Sequence, residues 1–411
     1  MHDSIRRHAP GLVVCLGLAI PVAGADVVTD WNKTACQVVA DAKLSTPMAN
    51  RAMALTQTAV FEAVDRITGR YPAGGSGEEQ VPGASVEAAV AAANRAVLTM
   101  TAAPQRTAID AAYEEAIATI PDDNAKKAGI AVGERAAAVV LERRVDDGAS
   151  QPERYRPVTS PGVYVPTTIP AVPQWPQRHP WLLASPSQFR PGPPPKLASA
   201  TWARDYAEVK ALGAKTGSTR TEEQTDIARF WEATLPSVYH GVVRTVAEQP
   251  GRDLTRNARL FAAVTQGMDD AVIAVFDAKY HYAFWRPITA IRNGDADGND
   301  STERDAGWTP LIDTPMHPEY PCAHCILAAT VGTILKAESG RDPLPELATT
   351  SYMVEGVTRR WKSVDDFVQE VANARIYDGV HYRNSTEVGT AMGRQIGELA
   401  AKKHFESATK P

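Results

Sequence analysis

Between Gln151 and Pro195 the chain fills with Pro, Ser, Arg and aromatic residues and closes on the run Pro191-Gly192-Pro193-Pro194-Pro195. Each proline lacks an amide proton and fixes φ, so the stretch excludes helix and central strand alike. A segment this long without secondary structure is either a linker or a functional wrap, and Trp175, Trp181 and Phe189 favour an ordered wrap. The expected organisation is therefore a signal at 1–25, an N-terminal helical region at 26–150, a connecting segment at 151–197 and a catalytic helical bundle at 198–411.

On either side of the wrap, apolar residues recur at helical spacing. Ala52, Ala54, Leu55, Val60, Phe61 and Val64 form one stripe within Val38 to Ile67, and Gly69 supplies a stop. Ser85 to Arg144 is Ala-rich with interspersed charge, carries almost no strand signal, and is broken near Ala103-Pro104 and Pro121-Asp122, which predicts three helices. After the wrap the same periodicity predicts helices at 198–211, 222–234, a long run 254–291, then 324–337, 364–377 and 382–405. No repeat of solenoid length is present. With 44% hydrophobic residues in 411, the chain can fill a large core, and the expected fold class is all-α.

Arg6 and Arg7 precede an apolar run, Gly11 to Val22, that ends in the small-x-small pattern Ala23-Gly24-Ala25. That order predicts a secretory signal cleaved after Ala25 and a secreted or periplasmic protein; an uncleaved anchor is the other reading. The run is about a dozen residues, short of the roughly 20 that span a bilayer, and no later stretch comes closer. A formal net charge of -5 provides no basic field for nucleic acid. Loss of the signal removes Cys15 and leaves Cys36, Cys322 and Cys325. Cys322 and Cys325 form a C-x-x-C, open to three readings: a local disulfide, a redox pair or half of a metal site. No second C-x-x-C accompanies it, which argues against structural zinc, and Ile326 stands where haem attachment needs His.

Three clusters carry chemistry. Lys279 and Arg286 lie seven residues apart in the long helical run, so both are expected on one helix face, where they serve an anion or pair with Asp269 or Asp277. In His317-Pro318-Glu319-Tyr320-Pro321-Cys322-Ala323-His324, a proline precedes an apolar helical run, which places His324 at a helix N-terminus where free amides favour an anion. His324 there is an acid–base group able to switch near neutral pH, or a capping histidine. In the third cluster, Gly379 is expected to break a helix so that Arg375 and His381 converge from two helix ends, with Arg supplying planar paired donors and His a nitrogen nucleophile or ligand.

The order Lys-x6-Arg-Pro, Pro-x-x-His, Arg-x5-His resembles the signature of the vanadium-dependent haloperoxidase and type 2 phosphatidic acid phosphatase (PAP2) superfamily. Trp31-Asn32, the stretch through Ala63-Val64-Asp65, and Phe284-Trp285-Arg286-Pro287 look like its soluble bacterial haloperoxidase-like branch. The resemblance implies an oxyanion site in which Lys279, Arg286 and Arg375, with Cys322 and Ala323 at the helix start, bind the anion. His381 would be the axial vanadate ligand of a peroxidase or the nucleophile of a phosphatase, and His324 the acid–base partner. The implied cofactor is vanadate for a peroxidase and none for a phosphatase. The substrates would be small molecules, peroxide with halide or a phosphate ester.

This chain departs from the family's pattern at two places. Cys322-Ala323 replaces the usual Ser-Gly, losing a hydroxyl donor; a free thiol there would be oxidised by peroxide unless tied to Cys325. Four residues after His381, where an Asp commonly orients the histidine, stands Ser385, with Glu387 as a substitute. Asp295 to Asp300 lacks the Gly and the closing Glu of a calcium loop and is expected to be a turn, and His281 is expected to be structural. A non-catalytic oxyanion binder and a thiol redox protein remain as readings from other classes.

Overall fold

A computed structural model describes residues 26–71 and 79–406; the expected signal segment lies outside them. The N-terminal part consists of α1 (Val27–Asp41), α2 (Thr46–Thr68), α3 (Val86–Thr101), α4 (Arg106–Ala118) and α5 (Asn124–Arg143). Gly69 caps α2 in the left-handed region, and breaks at Ala103 and Pro121 separate α3, α4 and α5 as the sequence predicts. After the wrap come α6 (Ala200–Leu212), α7 (Glu222–Phe230), α8 (Ser237–Ala247), α9 (Leu254–Tyr282), α10 (Pro287–Arg292), α11 (Ala323–Ser339), a hairpin of β1 (Leu347–Ser351) and β2 (Val354–Trp361), α12 (Val364–Tyr377) and α13 (Arg383–Ala401). The fold is all-α, with that antiparallel hairpin as its one sheet among the described residues. None of the described helices is long and apolar enough to cross a membrane.

Helix α9 is the axis of the molecule: it is buried on all sides from Leu260 to Lys279 and packs on α2, α11 and α13. One continuous apolar core runs from Leu55 and Val90 through Phe261 and Val264 to Ile326 and Ile396, so the two halves share it. Helix α13 lies close against α11 because Gly389, Gly393 and Gly397, one per turn, face the carbonyls of Cys322, Ile326 and Thr330; an added Cβ would stand 2.3–2.9 Å from those oxygens.

The proline-rich segment is an ordered wrap pinned by acids of α9. Arg178, with no side-chain exposure, bridges Asp147 at 2.7 Å and Asp269 at 2.6 Å. Asp270 accepts the amides of Trp181, Leu182 and Leu183, and Arg190 grips Asp277 with two bonds of 2.7 and 2.8 Å. Asp269 and Asp277 are therefore committed to the wrap and are not partners of Lys279 or Arg286.

The long run 254–291 does not form one helix. Proline clashes with helical backbone in the residue before it, and Arg286, preceding Pro287, accordingly adopts φ -79, ψ 154. Helix α9 ends at Tyr282, and Ala283 turns the chain at φ 48. Gly379 makes the other necessary turn, at φ 85 between α12 and α13. A Cβ there would lie 2.5 Å from the Gly213 carbonyl and 2.9 Å from Pro310. Gly379→Ala is therefore expected to cost roughly 3 kcal/mol in denaturant unfolding, from left-handed strain plus that clash; a change within ~0.5 kcal/mol would contradict this.

Candidate oxyanion site

The break after Tyr282 carries Arg286 away from α9 and across to the loop before α11. Its guanidinium donates to the carbonyls of His317 (3.0 Å) and Val380 (2.8 Å) and approaches His381 Nε2 at 3.3 Å. Lys279, on the last turns of α9, donates through Nζ to the carbonyls of Pro318 (3.1 Å) and Glu319 (2.6 Å). The two cations thus converge on one loop from two elements, and not from one helix face as their spacing predicts. Neither has a carboxylate partner among the described residues. Arg375, in the last turn of α12, meets Asp378 at 2.8 Å and donates to the Trp231 carbonyl at 2.7 Å, while its buried Nε has no protein partner.

All three cationic residues are at most 1% exposed. Burial, reinforced by the Arg286 charge, holds the Lys279 ammonium well below its ordinary range, and burial pushes Arg286 down to about 10. A buried cation without an opposite charge is costly, so a negative partner would stabilise this cluster. The nearby carboxylates hold their charge more weakly than usual: burial pushes Asp378 up to about 6 and Glu319 up to about 7.

His381 is held by a residue that local spacing does not reveal. Its Nδ1 lies 2.6 Å from Glu319 Oε1, whereas Ser385 Oγ is 3.4 Å away and Glu387 is exposed on α13. Glu319 therefore takes the place expected for Ser385 or Glu387. Since guanidinium only donates, the Arg286 contact requires a lone pair on Nε2, and Nδ1 then carries the proton given to Glu319. Burial and the Arg286 charge hold the imidazole well below its ordinary range. Glu319 stays fixed by accepting the Tyr382 amide at 3.2 Å. A neutral imidazole thus presents a lone pair among cations, backed by a carboxyl group.

His324 stands in the first turn of α11, at position N2. Its Nε2 bonds the Ala233 carbonyl at 3.1 Å, so that nitrogen carries the proton and Nδ1 is the free acceptor. Burial, with Arg375 nearby, holds it well below its ordinary range; without an anion it stays neutral at physiological pH and does not switch there as the isolated residue would. Cys322 caps α11, its sulfur accepting the Cys325 amide, and forms a disulfide with Cys325. Both sulfur-bearing residues are fully buried, out of reach of a partner thiol, and Cys36 is the free buried cysteine. The Cys322 amide donates to the Ser385 carbonyl at 3.2 Å, which leaves the amides of Ala323 and His324 as the helix-start donors. His317, given no role by the sequence, accepts at Nδ1 from Arg286 at 3.0 Å.

The residues set aside stay outside the site. His281 is exposed and stacks edge-on to Tyr282; Asp297 accepts from Trp202 and Thr302 in a turn. Among the described residues no cluster of three His, Cys, Asp or Glu is placed to hold a metal cation.

Residues 259–409 match the family described as the VCPO second helical-bundle domain. No curated protein matches the sequence. Among solved structures, a bacterial vanadium-dependent iodoperoxidase is 23% identical with TM-score 0.79, covering 92% of this chain and 96% of its own. The apo and holo forms of a bacterial vanadium-dependent chloroperoxidase are each 17% identical, with TM-scores 0.72 and 0.70, covering 88% and 89% of this chain and 94% of theirs. The chain therefore has the all-α helical-bundle fold of the vanadium haloperoxidases.

Proposed function

We propose that this protein is an exported, vanadate-dependent haloperoxidase that oxidises halide with hydrogen peroxide. The observation that carries this reading is the gathering of three buried cations at His381: Arg286 lies 3.3 Å from its Nε2 lone pair, and Lys279 and Arg375 both act electrostatically on its ring. Arg286 and Lys279 lack a carboxylate partner among the described residues, and Arg375 Nε is unpartnered. A tetrahedral oxyanion fits that donor set, because it accepts several N–H bonds and supplies the missing charge. Lys279, Arg286, Arg375 and the Ala323 amide would hold it, and His381 Nε2 would ligate it. When bound, vanadate would supply an electrophilic centre that activates peroxide toward halide.

This chain's own residues set the conditions. The three cations would neutralise the anion's charge among buried residues, where each hydrogen bond counts for more. Glu319 keeps the His381 proton on Nδ1 and so keeps Nε2 available. His324, with Nε2–H committed to Ala233, takes a proton at Nδ1, and a bound anion favours the resulting cation. The disulfide removes both sulfurs from peroxide's reach as thiols, and its presence supports an oxidising compartment.

Phosphate-ester hydrolysis is the second reading, favoured by the same Glu319–His381 pair: Nε2 would displace the alcohol, and water would then cleave the phosphohistidine. The test is halide oxidation by peroxide in vanadate-reconstituted protein, beside ester hydrolysis by vanadate-free protein. The proposal expects the first; hydrolysis alone would overturn it in favour of the second, and neither activity with an anion bound would leave an oxyanion binder.

The site's charge has a pH consequence. Burial raises the Glu319 carboxyl to about 7, so below that pH the Glu319–His381 pair holds one more proton and the site is more positive. Sulfate keeps its charge across this range, and its binding by calorimetry is expected to weaken roughly tenfold from pH 6 to pH 8. Sulfate affinity that is flat with pH would contradict that assignment.

A further inference from the structure

Beside Glu319 the packing leaves a small, partly open cavity lined in part by Glu319, Tyr382, Ser385, Tyr320, Asn384 and Pro195. The space open to the centre of a water molecule is about 10 Å³, the measure of one water. Two polar atoms of its wall have no protein partner: Glu319 Oε2, on a side chain with no exposure, and the Tyr382 hydroxyl, on a residue 3% exposed. Buried polar groups left unpaired are costly, and native structures satisfy nearly all of them.

Tyr320, Asn384 and Pro195 also line an open cleft of about 480 Å³ under the proline-rich wrap. The small cavity and the cleft share these three residues and so adjoin one another. The Tyr382 ring is itself fixed, against Trp202 at 5.0 Å and Phe284 at 5.8 Å, so its hydroxyl has one place to point.

We infer that this cavity is a dedicated water site, in which one ordered water joins Glu319 Oε2 to the Tyr382 hydroxyl and exchanges with solvent through the cleft under the wrap. Tyr382 is then a positioning residue: through the water it fixes the rotation of the Glu319 carboxyl, which in turn aims His381. The water needs at least two polar partners, and the cavity offers both, with Ser385 beside them. The assignment holds for either chemistry, since both need the same imidazole held the same way.

The experiment uses Tyr382→Phe in the full chain, which keeps the ring packing and removes the hydroxyl. Three readouts are taken: inorganic phosphate affinity of the vanadate-free protein, the low-field proton resonance of His381 Nδ1–H, and thermal unfolding. The expected result is phosphate binding weakened about three- to tenfold, in the range of outer partners of a ligand histidine, with the Nδ1–H resonance moved or broadened and the unfolding temperature little changed. Unchanged affinity and resonance would overturn the proposal. A high-resolution crystal structure of the unsubstituted protein decides the case independently if the variant fails to fold: density for one water bridging the two atoms is expected, and a dry cavity would refute it.

Discussion

His381→Ala is expected to reduce vanadate binding and any turnover that depends on it by about 10³-fold or more. The magnitude follows from what the other groups are. Lys279, Arg286 and Arg375 are donors only, and the helix-start amides are donors only. His324 Nδ1 also keeps a lone pair, but the Nε2 lone pair of His381, turned toward Arg286 at 3.3 Å and backed through Nδ1–H by Glu319, is the one proposed to bond the central atom of an anion. Removing it leaves a pocket that attracts an oxyanion without ligating it. Because His381 is 2% exposed and bonded to Glu319, alanine also leaves a small void and an unpaired carboxyl. His381→Asn, which retains a donor toward Glu319, is the control for folding, and circular dichroism checks both. Retained activity in a folded His381→Ala protein would remove His381 from the ligand or nucleophile role.

Glu319→Gln is expected to move two anions in opposite directions. Vanadate, ligated at Nε2, should bind about 10–100-fold more weakly, because the histidine loses the charged partner that raises its basicity. Sulfate, held by charge and hydrogen bonds alone, should bind at least as well, because the site loses a negative charge. Stability should hold or rise slightly, since burial already disfavours the ionised carboxyl. Parallel loss of both anions with lowered stability would reduce Glu319 to a packing role. The pH dependence of sulfate binding should flatten in the same variant.

The contrast between Glu319 and Ser385 shows what the sequence discloses and what it does not. Helical periodicity carries the fold class, because a buried stripe must repeat near 3.6 residues whatever it packs against. Spacing also makes the three cationic and two histidine positions legible. It does not carry the route by which they meet. Lys279 and Arg286 read as neighbours on one helix, yet Pro287 forces Arg286 into extended backbone, and the pair converges through the loop before α11. Glu319 is 62 positions from His381 in the chain. A search within one turn of the histidine therefore finds Ser385 and Glu387 and misses the carboxylate that arrives from another element. The hairpin of β1 and β2 escapes for a different reason: its strands are short, and β2 is largely exposed, so no apolar alternation marks it. Helix α8, an 11-residue Val-rich element, gains its helical state from burial against β1, α1 and α11, not from propensity.

The Cys322–Cys325 disulfide resolves a choice that the C-x-x-C spacing leaves open. Replacing Ser-Gly by Cys-Ala before His324 introduces sulfur at the start of α11, and the bond to Cys325 makes that sulfur compatible with peroxide. The cost to the site is one side-chain donor, and the unpartnered Arg375 Nε remains available to the anion.

Calorimetric titration of the ligand-free protein with vanadate tests the oxyanion site most directly. The arrangement of Lys279, Arg286, Arg375 and His381 predicts one equivalent bound, displaced by phosphate and lost in His381→Ala. A folded, unsubstituted protein that binds neither vanadate nor phosphate would contradict it.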